Sequence, residues 1–374
     1  MKPAGITPGW AEVGQPHPHE SAILHVSGSA TYIDDLPELQ GTLHAALGLS
    51  AHAHARIVAM ELEPVRQAPG VLAVYTAADF PGANQCGPIV QDDPILAEGE
   101  VQYLGQPVFA VVASSHELAR RAARLALIRY ESLPAILTAR AAQAANAYVL
   151  PPMRSQRGDA QQALAAAPHR LTGSWQVGGQ EHFYLEGQVA YAMPQEGQGM
   201  RVACSTQHTS EMQHAIAHAL ALPSHQVQVE CRRMGGGFGG KESQSAIWAA
   251  LAALCAHHLQ KPVKLRADRD DDMLVSGKRH DVVYDYEVGY DDDGRILALK
   301  LEMILRAGFS ADLSGPVATR AVCHVDNCYY LEHADILAFC GKTHTQSNTA
   351  FRGFGGPQGA LLTEYVIDDI ARLL

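Results

Sequence analysis

Apolar and polar residues alternate with a period of two over adjacent stretches late in the chain. Val282, Tyr284, Tyr286, Val288 and Tyr290 share one parity, and Val283, Asp285, Glu287 and Gly289 the other. After Asp291-Asp292-Asp293-Gly294 the alternation resumes with Leu297, Leu299, Leu301, Met303 and Leu305. Two such runs around a glycine-containing loop predict a β-hairpin. The apolar runs Val71 to Tyr75 and Val108 to Ala113 predict short buried strands. Ser114 and Ser115 then stand where a helix N-cap is expected. The helix after them carries Leu118, Ala122 and Leu125 on one face and Arg120, Arg121 and Arg124 on another. Near the end, Leu362, Val366, Ile370 and Leu373 fall on one helical face. That stripe reaches the last residue with no Gly, Asn or Pro to close the helix, so more protein is expected to follow.

This mixture predicts an α+β fold in two units. Residues 1–18, rich in Pro, Gly and His, read as an N-terminal arm. Residues 19–137 and 168–374 each mix strands and helices. Residues 138–167, rich in Ala and Gln with few large apolar groups, read as a linker that is helical in part. The His17/His19 and His52/His54 pairs read as solvated loop histidines rather than metal ligands.

Composition removes several classes. The net charge is −11 with no run of Lys or Arg, which argues against nucleic acid as the main partner. The longest apolar run, Ala246 to Ala256, is 11 residues, and a membrane span needs roughly 20. Met1 to Trp10 lacks the charged-then-apolar pattern of a leader, so a cytoplasmic address is expected. The seven cysteines include no CxxC pair. A disulfide framework, or an iron–sulfur or zinc centre within this chain, is therefore not expected.

The chemistry concentrates in two related segments, Met234-Gly-Gly-Gly-Phe-Gly-Gly-Lys-Glu242 and Phe351-Arg-Gly-Phe-Gly-Gly-Pro-Gln-Gly359. Both contain Gly-Phe-Gly-Gly, and both precede a helical pattern. Bare glycine lets backbone approach a ligand, and a helix start offers free N–H groups. Two such loops suit one large, oxygen-rich or anionic ligand. The first segment, with Val227, Val229 and Cys231 as a preceding strand, also matches G-x-G-x-x-G and most of a Walker A motif. However, Glu242 stands where the Walker motif needs Ser or Thr, and its carboxylate would repel a triphosphate. Tight structural turns would explain either loop alone, but not the pair with Arg and Glu beside them.

At these residues the chain resembles the molybdenum-pterin subunit of the xanthine dehydrogenase/aldehyde oxidase family. The matching segments are Cys204-Ser-Thr-Gln207, Arg233 through Glu242, Arg320-Ala-Val-Cys-His-Val-Asp-Asn327 and Ser347 through Gln358. His19 through Pro37 is similar to the opening of the family's α/β hammerhead domain. The resemblance runs from His19 over nearly the whole chain. It implies a hammerhead domain over 19–137 and the first half of a molybdenum-cofactor-binding domain over 168–374. It further implies that Gln207 hydrogen-bonds an oxygen ligand of molybdenum. Gly237, Phe238 and Gly239 would lie against the cofactor, Arg352 would contact it, and Phe354 would meet the substrate ring. The metal is held by the pterin's sulfurs, so no protein side chain is expected as a direct ligand.

Glu242 and Arg320 match positions that are Glu and Arg in the family's xanthine-oxidising members and typically apolar in its aldehyde-oxidising ones. A carboxyl can exchange hydrogen bonds with purine nitrogens and oxygens. A guanidinium can stabilise negative charge building on the ring. A Glu242–Arg320 salt bridge tying two elements together is the plainer alternative. The resemblance thus implies oxidation of hypoxanthine and xanthine to urate by attack of a molybdenum-bound oxygen with hydride transfer. Electrons would pass to Fe–S clusters, FAD and NAD on partner chains or domains. Another molybdenum hydroxylase, acting on aldehydes or other N-heterocycles, and a non-catalytic remnant or assembly protein are the other readings. The family's subunit is about twice as long, and its general-base glutamate lies beyond the stretch matched here. Glu364, Asp368 and Asp369 do not match that motif. The chain alone is accordingly expected to hold cofactor loosely and to be inactive, since a general base contributes about 10²–10⁴ in rate. Association into an oligomer is expected from apolar surface near residues 361–374.

Overall fold

The computed structural model describes residues 14–374. The leader reading of Met1 to Trp10 and most of the arm at 1–18 lie outside the described residues. The first part of the chain holds helices α1 (Ala22–Val26), α2 (Glu63–Arg66) and α3 (His116–Ala123). Its strands are β1 (Leu43–Leu49), β2 (Ala55–Glu61), β3 (Val71–Tyr75), β4 (Glu100–Val101), β5 (Pro107–Ala113) and β6 (Leu127–Ser132). Both short apolar runs are thus strands, and β5 is buried at every position. Ser115 caps α3 by accepting from the Leu118 N–H. The buried face of α3 is Ala119 and Ala122. Leu118 is only half-buried, and Leu125 lies past the helix end and is exposed. Small side chains, not leucines, set the close seat of α3 on β1 and β5.

The rest of the chain supplies helices α4 (Ala139–Ala144), α5 (Ala160–Ala166), α6 (Thr209–Leu220), α7 (Ser245–Leu259), α8 (Arg269–Val275), α9 (Ser314–Cys323) and α10 (Gly356–Leu373). Its strands are β7 (Met153–Arg157), β8 (His169–Val177), β9 (Val189–Pro194), β10 (Met200–Cys204), β11 (Val227–Glu230), β12 (Val263–Arg266), β13 (Val282–Tyr290), β14 (Ile296–Gly308) and β15 (His333–Lys342). The stretch 138–167, expected as a linker, therefore holds two helices and a strand. Thr138 and Asp159 cap the helices. Ala139, Ala142, Ala160 and Leu164 anchor them, and β7 adds antiparallel to β15 as an edge strand. Alanine anchors and a mostly exposed edge need few large apolar residues, which is why the composition reads as a connector.

Three sheets organise the molecule. The largest runs β11-β10-β9-β12-β1-β5-β3, the second β7-β15-β14-β13-β8, and the smallest β4-β2-β6. The largest joins both parts of the chain, because β1 pairs in parallel with β12 through Leu43↔Val263, His44↔Lys264 and Ala45↔Leu265. On one face it carries α6 and α7. Helix α7 is buried all along Ser245–Ala256, so the long apolar run is a core helix. Among the described residues no helix is long and apolar enough to cross a membrane.

The expected hairpin is β13–β14, with Tyr284↔Met303, Tyr286↔Leu301 and Val288↔Leu299 in register. Its turn closes through Asp291, whose carboxylate accepts from the Asp293 and Arg295 N–H groups, with Gly294 at φ 79°. Helices α9 and α10 cover this sheet. Leu362, Val366 and Ile370 of α10 enter the second core, while Leu373 is exposed.

Candidate functional site

The first glycine loop connects β11 to α7, and the second opens α10 directly. The shared Gly-Phe-Gly-Gly has a shared backbone shape. Phe238 (φ 56°) and Phe354 (φ 47°) are left-handed, and the glycines after them, Gly239 (98°) and Gly355 (90°), are also at positive φ. Left-handed phenylalanines are strained, at about 1–3 kcal/mol each, and persist only where the surroundings hold them.

Gln207, which follows β10, is what holds the first loop. Its Oε1 accepts from the Gly239 N–H at 2.8 Å and the Lys241 N–H at 3.3 Å. Its own N–H donates to Lys241 O at 2.7 Å. Gly237 is bare for a reason: a Cβ there would lie 2.5 Å from Gln207 Oε1. With the oxygen committed, the amide NH₂ is left as a donor, 3.4 Å from Glu242 Oε1. The N–H groups of Gly236, Gly237 and Phe238 have no acceptor among the described residues. The Phe238 ring is half-exposed.

The second loop lies against the first. Arg352 N–H donates to Phe238 O at 2.8 Å, and a Cβ on Gly239 would sit 2.6 Å from Ala350 O. The Arg352 guanidinium is exposed and has no acidic partner among the described residues. Phe354 packs at the edge of the second core. Helix α9 passes beneath: Val317 O and Ala321 N approach Gly355, and Ala321 O approaches Gly359. Arg320, one residue before Ala321, is exposed at this end of α9.

The structure thus brings Gln207, Gly237, Phe238, Gly239, Glu242 and Arg352 into one hydrogen-bonded unit. Phe354 lies on the same second loop, and Arg320 lies on the helix packed against it. Glu242 and Arg320 form no ion pair with each other, so the salt-bridge alternative is not realised. Burial pushes the Glu242 carboxyl up from the usual range, opposed by His208 and by the Gln207 hydrogen bond. Gly239 contributes through its missing Cβ, since its N–H is already taken by Gln207.

A buried polar layer beneath the first loop has no local signature in the sequence. Lys241 is fully buried. Its Nζ donates to Glu186 O at 2.6 Å and Ser205 Oγ at 2.8 Å, with the Glu186 carboxylate at 3.6 Å. Burial holds this amine's pKa below the usual lysine range, and Glu186 partly restores it. Glu186 in turn accepts from the Gly235 N–H, the Ser205 hydroxyl and the Ile33 N–H. Gln188 donates to Gly240 O at 2.9 Å. Asp272 accepts from the Tyr184 and Ser276 hydroxyls. The only hint is a lysine ending a glycine run, where solvent exposure is the ordinary expectation. Beside this loop a cavity of about 470 Å³ opens between Tyr32, Asp34, Leu185, Met234 and Gly236.

Apart from the Glu242 carboxyl, the groups left open at the junction of the loops are donors: backbone N–H groups, an oriented amide NH₂ and a guanidinium with no acidic partner among the described residues. That donor set fits an oxygen-rich, anionic group.

Comparisons with known proteins bear on this site. Residues 27–134 match the family "Aldehyde oxidase and xanthine dehydrogenase, a/b hammerhead domain". Residues 141–374 match "Molybdopterin cofactor-binding domain". The chain is 41% identical over 365 residues to the xanthine dehydrogenase of Drosophila pseudoobscura pseudoobscura, covering 97% of this chain and 27% of that protein. It is 40% identical over 364 residues to a nicotinate hydroxylase of Emericella nidulans, covering 96% and 27%. Among solved structures, the aldehyde oxidoreductase of Desulfovibrio gigas superposes with a TM-score of 0.87 at 25% identity, over 95% of this chain and 42% of that one. The chain spans about a quarter of the length of the curated relatives it matches.

Proposed function

The chain belongs to the xanthine dehydrogenase and aldehyde oxidase family, and from that membership we propose that it carries part of the active site of a purine-oxidising molybdenum hydroxylase. Hypoxanthine and xanthine are the substrates in this reading, and urate is the final product. The observation that supports it most is the convergence of unpaired donors on the facing glycine loops, with Glu242 and Arg320 both without an ion pair among the described residues.

In this reading the loops hold a molybdenum-pterin cofactor. Gln207 offers its NH₂ to an oxygen on the metal. The bare backbone at Gly237, Phe238 and Gly239 lets the group lie close, and Arg352 balances its negative charge. No side chain of this chain is assigned as a direct ligand of the metal. When bound, the cofactor supplies the oxygen that enters the purine and takes up the electrons. The chain's own part is orientation and electrostatics. Glu242, its carboxyl pushed toward the protonated form by burial, donates to or accepts from purine nitrogens and oxygens. Arg320 stabilises negative charge on the ring, and Phe354 meets the ring face. Partner chains or domains with Fe–S clusters and FAD would carry electrons to NAD, in a cytoplasmic, oligomeric assembly.

The test uses the assembled protein and urate formation. Glu242→Ala and Arg320→Met should each lower kcat/KM for xanthine by about 10²–10³, with molybdenum content unchanged. Undiminished urate formation by both variants would remove Glu242 and Arg320 from the purine site, and no urate formation by the wild-type assembly would remove purine as the substrate. The likeness to a nicotinate hydroxylase supports a second reading, in which another N-heterocycle is oxidised. Relative rates on xanthine, nicotinate and an aromatic aldehyde separate the two.

A further inference from the structure

We propose that Arg279 is a positioning residue for the second glycine loop, holding residues 350–353 so that Arg352 and Phe354 face the cofactor and substrate. The proposal rests on the reading of the loops as a cofactor site.

Three successive residues of the loop are held from outside it. His182, only 6% exposed, contacts Ala350 O through Nε2 at 2.8 Å. Arg352 O accepts from Arg279 Nη2 at 2.7 Å. Between these carbonyls, the Phe351 ring is sandwiched, with the Arg279 guanidinium 3.9 Å from its centroid and the His182 ring 4.6 Å away. Arg279 is itself braced: its Nε donates to Gln180 Oε1 at 2.6 Å and its N–H to Gln180 O at 3.0 Å. The neighbouring chain continues the clamp, because Thr349 N–H donates to Lys278 O and Lys278 N–H to Asn348 Oδ1.

Packing alone does not account for this arginine. Burial lowers its pKa, its Nη1 is buried without a partner, and it makes no ion pair with any described acid. An apolar residue would cover Phe351 without those costs. Only a guanidinium stacks flat on a ring while its fork donates at the edge to a carbonyl. Gly353, at φ 99°, follows the held carbonyl, and a Cβ there would meet the Pro357 ring at 2.5 Å rather than the guanidinium. The loop's shape is therefore set by the protein before a ligand arrives, and a positive charge without a counterion sits beside an anion-binding turn.

The test compares Arg279→Met and Arg279→Lys in the assembled protein with Val112→Ala, a distant core change that serves as a stability-matched control. The readouts are molybdenum per protein by elemental analysis, the rate of molybdenum loss on dialysis, the melting temperature, and kcat and KM for xanthine. Arg279→Met should lose molybdenum roughly tenfold faster than wild type, within the 10–100-fold range of outer-shell residues. Arg279→Lys, which keeps the charge but not the fork, should recover part of that. If wild type holds molybdenum and Arg279→Met loses it no faster than Val112→Ala, the proposal is overturned. If wild type holds none, the cofactor reading of the loops itself fails, and the role of Arg279 falls with it.

Discussion

The two glycine loops share a four-residue word and a backbone shape, yet they are supported in opposite ways. The first stands on buried charge: Lys241 and Glu186 lie beneath it, tied to Ser205 and the Gly235 N–H. The second stands on stacking and close helix contact, with Phe351 between His182 and Arg279 and Gly355 and Gly359 pressed against α9. Glycines that look interchangeable in sequence answer different demands. Gly237 and Gly239 make room for Gln207 and for the other loop, whereas Gly355 and Gly359 make room for a helix. A repeated motif can therefore mark a repeated conformation without marking a repeated support.

The largest expected effect tests the ionic support. Lys241→Met leaves the Glu186 carboxylate, only 9% exposed, without its cation. Breaking one side of such a pair costs about 3–5 kcal/mol, read by urea unfolding. A loss below about 1 kcal/mol would mean that the first loop does not depend on buried charge. Next, Gly359→Ala drives a methyl into Ala321 O of α9. Overpacking of this kind costs about 1–3 kcal/mol, measured by calorimetry. A neutral result would shift the second loop's support wholly onto the Phe351 sandwich.

A graded effect comes from pH. The segment leading into the second loop rests on a buried acid group. Asp93 accepts from Ser310, which shares a hydrogen bond with Ser347. Burial, with Asp312 and Asp92 nearby, pushes the Asp93 carboxyl up to about 8. The folded chain thus holds this proton more tightly than the unfolded chain does. Its contribution to stability is full below about pH 4 and fades as pH rises toward about 8. Asp93→Asn should flatten that decline in denaturant titrations at pH 5 and 8. An unchanged slope would place the pH dependence elsewhere. The smallest effect is on Gln207. Its side chain is exposed and anchors two N–H groups, so Gln207→Ala should cost only about 1 kcal/mol of stability while molybdenum retention falls. Equal losses in both would mean that the amide serves the loop's fold rather than a ligand.

Local patterns were readable in the sequence, and long-range ones were not. The β13–β14 hairpin could be read because its alternation is complete and its turn chemistry lies within four residues. The glycine loops stood out because five glycines in eight residues fit no helix or strand pattern and point to close backbone approaches. The placement of α3 was only half right, since the burial of Ala119 and Ala122 depends on how near β1 and β5 come. Residues 138–167 read as a connector because alanine anchors and an edge strand carry little apolar signal. Lys241 and Glu186 are 55 positions apart, and no period links them. Arg279 falls in a polar stretch, and nothing local shows that it will lie under Phe351.

One pairing has a consequence for how the chain is made. Strand β1 meets β5 soon after synthesis, but its other edge waits for β12, about 220 residues later. At translation rates of roughly 5–20 residues per second, that edge stays open for on the order of 10–40 s. An open strand edge is a template for pairing with the wrong chain. The nascent protein therefore passes through a long interval of exposure on the ribosome, in which a chaperone has more to protect than in the finished fold.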